Sequence, residues 1–161
     1  RRAEEAARSG AALVVLLNKW DKADPEQREA TLAGLGDRLH FVDWAPVLRV
    51  SALTGARLSR LPAAVEMVLE NRARRIPTGR LNRLIREWQQ APPPPVRKGR
   101  RPRILYAVQA GSEPPTLVLF VSGGELGDDY LRFVQNRLRQ EYEFDGTPVH
   151  VVARAKPKRS G

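Results

Sequence analysis

Asn18-Lys19-Trp20-Asp21 follows directly on an apolar run, and its residue types suit a purine that shows two adjacent donors. Guanine presents its N1–H and its exocyclic amine side by side. An ionised carboxylate offers two acceptor oxygens at matching separation, so Asp21 can accept both in a charge-assisted fork. Adenine offers no such pair and would leave the carboxylate unpaired, at a cost of about 1–3 kcal/mol. The stem of Lys19 can cover one face of the base, and Asn18 can tie this loop to a phosphate-binding loop. The plain alternative is a polar turn, because average residue usage yields N-K-x-D by chance in roughly one chain of this length in fifty. A second loop argues against coincidence. Val50-Ser51-Ala52-Leu53-Thr54-Gly55 also ends a strand-like segment, one β-α unit downstream, and the small Ala52 lets backbone approach a ring.

The surrounding pattern must place these two loops together. Residues 2–9 read as the end of a helix closed by Ser9-Gly10. Ala11 to Leu17 is a Val/Leu-rich run, predicting a strand buried on both faces of a parallel sheet. Asp24 is a candidate N-cap, with Pro25 at the first helical position and Gln27 completing a capping box. The helix carries Leu32, Leu35 and Leu39, and Gly34 and Gly36 weaken it. Pro46–Val50 predicts a second strand. Ser59 is expected to cap a helix that buries Leu61, Val65, Val68 and Leu69. Strand, loop and helix, repeated, make half of an α/β sheet whose ligand sits at the strands' carboxyl ends.

A different unit begins after Arg75. Leu81, Leu84, Ile85 and Trp88 fall at i, i+3, i+4 and i+7 behind a candidate cap at Thr78, leaving Arg80, Arg83 and Arg86 largely for the opposite face. Pro92–Pro95 ends that helix. Strands are predicted over Ile104–Gln109 and Thr116–Val121, the second reading as central. A helix follows from Asp128 with Leu131, Val134, Leu138 and Tyr142, then a strand over Val149–Ala153. The tail Lys156–Gly161 reads as mobile. The order is α-β-β-α-β, with helices packed on one side of a small sheet.

Charge is unevenly placed. The chain has 161 residues and a formal net charge of +10. Residues 1–75 hold 13 Lys/Arg against 10 Asp/Glu, whereas 76–161 hold 15 against 8. Such a field concentrates polyanions. Arg97, Lys98, Arg100, Arg101 and Arg103 form a basic arm before the first strand of the second unit and are the candidate RNA contacts, by neutralising phosphates; the alternative is a solvated linker. Gly124-Glu125-Leu126-Gly127 matches the G-x-x-G with which some RNA-binding domains clamp a backbone, but it lies between a strand and a helix and reads as a turn. His40 and His150 are isolated and have no metal-ligand spacing. Trp44 and Trp88 read as core, and Trp20 as partly exposed. There is no cysteine, which excludes disulfides and thiolate metal sites and fits a cytoplasmic location. No apolar run reaches the length of a membrane span. The start, Arg1-Arg2-Ala3, has neither Met nor a signal-peptide pattern and reads as a cut inside a longer chain.

The two loops resemble the fourth and fifth guanine-nucleotide motifs of P-loop GTPases. Leu39–Val47, Ser51–Gly55, Arg75–Asn82, Gly111–Phe120 and Asn136–Arg139 closely resemble the second GTPase domain and the KH-like domain of the Der (EngA) family. That resemblance implies an α/β fold in which residues 1–74 are the distal half of a G domain, followed over 75–161 by a small α+β KH-like domain. It implies GTP/GDP binding through Asn18, Lys19, Asp21, Ser51 and Ala52, with the Ala52 N–H donating to guanine O6. It further implies action on the large ribosomal subunit and its rRNA, with upstream G domains in cis. The family's G-x-x-x-x-G-K-[ST], switch threonine and D-x-x-G are missing here, so Mg²⁺ is expected only with upstream motifs and the fragment alone is expected to hydrolyse no GTP. Two rival readings are an Era-like GTPase with a KH domain, and a non-enzymatic RNA-binding or assembly module that keeps the G-domain half as scaffold.

Overall fold

The computed structural model describes residues 2–157, so the tail expectation for residues 158–161 lies outside the described residues. The chain divides into two compact units by a discontinuous path. The first runs through Ala73 and takes back Phe144–Pro148; the second is Arg74–Glu143 with the chain from Val149 onward.

In the first unit, helix α1 (Arg2–Arg8) precedes strand β1 (Val15–Leu17), which pairs in parallel with β2 (Val47–Arg49), Val15 opposite Val47. Both strands are shorter than the segments predicted, and Leu16 of β1 is exposed rather than buried on both faces, as Val47 of β2 is also exposed. The physical reason is that a parallel pair is covered only when further strands and crossover helices flank it, and among the described residues this sheet has two strands. Helix α2 (Pro25–Leu39) opens with the predicted capping box. The Asp24 carboxylate accepts from the Gln27 N–H at 2.8 Å, and the Gln27 side chain accepts from the Asp24 N–H at 3.3 Å. Gly34 and Gly36 do not end this helix, which continues through both to Leu39. A Ser59 cap does not form. Ser59 lies inside a 3-10 turn, Leu58–Arg60, entered through Arg57 at φ 61, and helix α3 (Leu61–Ala73) begins after it. Helix α3 buries Val68 and Asn71, whereas Val65 and Leu69 face outward, Leu69 at 53% exposure.

The returning segment Phe144–Pro148 completes this unit. Gly146 accepts from the Leu13 N–H at 2.7 Å and donates to the Trp44 carbonyl at 2.8 Å. The Asn71 side chain donates to the Asp145 carbonyl at 3.0 Å. Gly146 sits at φ 82, and a Cβ there would run into the Val68 side chain, so both conformation and space require glycine.

The second unit has the predicted order: α4 (Thr78–Trp88), β3 (Arg103–Gly111), β4 (Thr116–Ser122), α5 (Asp128–Glu141) and β5 (His150–Ala155). Strand β4 is central, antiparallel to β3 and parallel to β5. Its Leu117 and Leu119 are fully buried with Leu81, Ile85, Val134 and Leu138. The α4 stripe Leu81, Leu84, Ile85 and Trp88 is buried as its spacing predicts. Thr78 is the first helical residue rather than the cap. In α5 the inward set is Tyr130, Val134 and Leu138, with Tyr130 in place of Leu131. Burial pushes the Tyr130 phenol up to about 12, and its hydroxyl donates to the Pro92 carbonyl at 3.1 Å.

The outer edge of β3 is closed by side-chain amides. Asn82 accepts from the Ala107 N–H at 2.8 Å and donates to its carbonyl at 2.9 Å. Gln89, two turns along α4, does the same to Ile104 at 3.1 and 2.9 Å. Residues three apart on a regular strand aim their backbone groups to opposite sides. The register shift between Ile104 and Tyr106 inserts one residue and brings Ile104 and Ala107 into phase. Two positions on an edge that could otherwise receive another strand are thereby satisfied within the unit.

Candidate nucleotide site

The first unit places both candidate loops at the carboxyl end of the β1–β2 pair. The Val50 N–H donates to the Leu17 carbonyl at 2.9 Å, and the Trp20 N–H donates to the Val50 carbonyl at 3.1 Å, extending the ladder past the strands. Each strand thus delivers its loop alongside the other.

Asn18 joins them. Its Oδ1 accepts from the Lys19 N–H at 2.8 Å and from the Ala52 N–H at 2.9 Å. The Ala52 donor that the resemblance assigns to guanine O6 is therefore engaged by Asn18 here. Ser51 is buried, and its hydroxyl accepts from the Thr54 N–H at 3.3 Å, shaping the second loop from inside. Lys19 adopts φ 59, a left-handed conformation costly for a residue with a Cβ, and its carbonyl accepts from Lys22 at 3.1 Å. That strain stands at the loop that carries the candidate chemistry.

Asp21 is exposed and has no hydrogen-bond or ion-pair partner among the described residues. Both its oxygens are open to a ligand. Lys19 is exposed beside it, and Asn18, Lys19, Asp21, Ser51 and Ala52 lie on two tied loops. The donor set suits the base side of a guanine nucleotide. No phosphate-binding G-x-x-x-x-G-K-[ST] occurs in the sequence, and among the described residues no group of three His, Asp or Glu could hold a metal ion.

Two residues that the motifs did not indicate support the first loop. The Trp20 ring has the Arg49 guanidinium at 5.3 Å and the Arg28 guanidinium at 5.7 Å from its centroid. Arg28 also donates to the Trp20 carbonyl at 3.2 Å. Cation–π contacts of this kind contribute about 0.5–1 kcal/mol at exposed sites. A faint signal existed: Arg28 comes one turn after the Asp24 cap, on the side of α2 facing the loop.

The basic segment is a built turn rather than a loose arm. Arg97 and Arg100 exchange backbone hydrogen bonds at 2.8 and 3.0 Å around Lys98 (φ 50) and Gly99 (φ 73), the geometry of a two-residue hairpin. Arg97 pairs with Asp129 at 3.3 Å, and Arg103 is already the first residue of β3. Gly127 is the N-cap of α5, so the G-x-x-G match is a strand-to-helix entry. The His40 Nδ1 lies 3.0 Å from the Asp37 carbonyl. Trp88 is buried and Trp44 half-buried.

Comparison with known proteins covers both units. Residues 75–154 match the KH-domain-like C-terminal domain of EngA bacterial GTPase enzymes. The GTPase Der of Streptomyces coelicolor is 46% identical over 155 residues, covering 96% of this chain and 33% of that protein. That of Paenarthrobacter aurescens is 46% identical over 154 residues, covering 96% and 31%. That of Mycobacterium tuberculosis is 44% identical over 153 residues, covering 95% and 33%. The chain spans about a third of the length of the curated relatives it matches.

Proposed function

Since the chain belongs to the GTPase Der (EngA) family, we propose that it supplies the guanine-reading loops and the RNA-contacting KH-like domain of a GTP-binding protein that acts in maturation of the large ribosomal subunit. Residues 1–74 serve as the distal half of a G domain and 75–161 as the KH-like domain. The exposed Leu16, Leu32, Val47, Val65 and Leu69 of the first unit are faces that the rest of a G domain would cover. The chain works in the cytoplasm, and its partners are rRNA and G-domain segments in cis.

The observation that carries this reading is the Asn18–Ala52 hydrogen bond, 2.9 Å across 34 residues of sequence, beside an unpartnered Asp21. In it, Asp21 accepts the N1–H and amine of guanine, the Lys19 stem covers the ring, and guanine O6 shares the Ala52 N–H with Asn18. Phosphate and Mg²⁺ are held by residues other than these, so this chain alone turns over no GTP.

Replacing Asn18 tests the carrying observation. In a chain that also contains the phosphate-binding motifs, Asn18→Ala is expected to weaken GDP binding by roughly tenfold, because it releases the tie that holds the two base-reading loops together. Isothermal titration of wild type and variant reads it. GDP affinity unchanged by Asn18→Ala would remove the tie from nucleotide binding.

A further inference from the structure

The five basic residues grouped by sequence part into two sets in the structure. Arg97, Lys98 and Arg100 line a cleft of about 660 Å³ with Gly124 and Glu125. Arg101 and Arg103 turn to another, of about 410 Å³, shared with Arg86, Gln90, Pro93 and Pro94. The two clefts differ in what surrounds the cations. In the first, the acidic Glu125 is part of the wall and Arg97 is paired with Asp129. In the second no acidic residue lines the wall, and Arg86, Arg101 and Arg103 have no ion-pair partner among the described residues.

The backbone under the second cleft is also fixed. Arg86 stands on the outer face of α4, whose inner stripe is buried. Gln89 clamps Ile104, holding the start of β3 to α4. Gly123 approaches so closely that a Cβ there would lie 2.8 Å from the Arg101 carbonyl oxygen. Pro94 and Pro102 are buried and rigid. Three arginines on locked backbone, lining a concavity with no acidic residue in its wall, form a site that can bind phosphate without ordering the backbone and without a competing carboxylate. A concave site also favours a strand that enters it over a flat lipid surface.

We propose that the cleft between α4 and the start of β3 binds the phosphodiester backbone of RNA, with Arg86, Arg101 and Arg103 as its ligands, while Arg97, Lys98 and Arg100 add only long-range field. This rests on the reading that the KH-like unit meets ribosomal RNA. It adds Arg86 and divides the basic segment by role.

Two charge-matched variants of the full chain test it: Arg86→Gln/Arg101→Gln/Arg103→Gln, and Arg97→Gln/Lys98→Gln/Arg100→Gln. Each loses three positive charges from exposed positions. Binding of a fluorescein-labelled RNA hairpin is followed by anisotropy over a salt series. The first variant is expected to bind roughly tenfold or more weakly and to flatten the slope of log K against log salt by about 2–3, with the second close to wild type. Should the first variant lose its fold by circular dichroism, Arg86→Gln alone serves, with the slope expected to fall by about one. Equal losses in the two variants would overturn the cleft and leave RNA binding in place. Absence of RNA binding by wild type would overturn the RNA reading and the cleft with it. Binding of wild type to phosphatidylglycerol vesicles but not to RNA would reassign the arginines to a lipid headgroup and overturn the proposal.

Discussion

The two units differ in how far each satisfies itself. The second has a three-stranded sheet, two helices with buried stripes, and an edge strand on which Asn82 and Gln89 meet the backbone groups of Ala107 and Ile104. The first has a pair of three-residue strands, an α2 with no fully buried residue, and an α3 that leaves Val65 and Leu69 outside. Yet the first carries the candidate nucleotide loops. A loop can hold its shape through a few directed bonds, such as Asn18 to Ala52, while the layers around it stay thin. A core cannot, because its stabilisation scales with buried apolar area.

The largest expected effect that would sharpen this contrast is a pair of truncations. Leu119→Ala, at a fully buried position of β4, is expected to cost about 2–5 kcal/mol. Leu32→Ala, on exposed α2, is expected to cost less than about 0.5 kcal/mol. Urea unfolding followed by amide exchange in each unit measures both. Similar losses at the two sites would break the comparison.

A smaller effect is expected at the sheet edge. Asn82→Ala strands the N–H and carbonyl of Ala107 and is expected to destabilise the second unit by about 1–3 kcal/mol. Exchange of the Ala107 amide should accelerate in step. Stability and exchange both unchanged would show that solvent serves that edge as well as the side chain does.

Much of this contrast was legible in the sequence, for physical reasons that also explain the misses. The Asp24/Gln27 box is local, and so is the Leu81–Trp88 stripe, and both formed as spacing dictates. The central place of β4 followed from its unbroken apolar run. The apolarity of β1, Val65 and Leu69 predicts burial that the structure does not show, because apolarity states that a residue needs cover and not that this chain provides it. The return of Phe144–Pro148 to the first unit had no local signal: Gly146-Thr147-Pro148 looks like an ordinary turn, and its partners Leu13, Trp44 and Val68 are far away in sequence. At the candidate site the loop residues are visible as types, and Arg28 is marked only by its place one turn after the Asp24 cap, whereas the Arg49 support of Trp20 depends on a fold that sequence spacing does not encode.

The central claim is that Asp21 reads the base. Its most direct test is nucleotide preference in a chain that includes the phosphate-binding motifs. Xanthine replaces the exocyclic amine of guanine by a carbonyl, so it needs a donor where guanine needs an acceptor. Asp21→Asn supplies that donor. Competition binding of GTP and xanthosine triphosphate to this domain of wild type and variant is expected to show preference moving from the first to the second. A variant that still prefers GTP to the same degree as wild type would contradict the account.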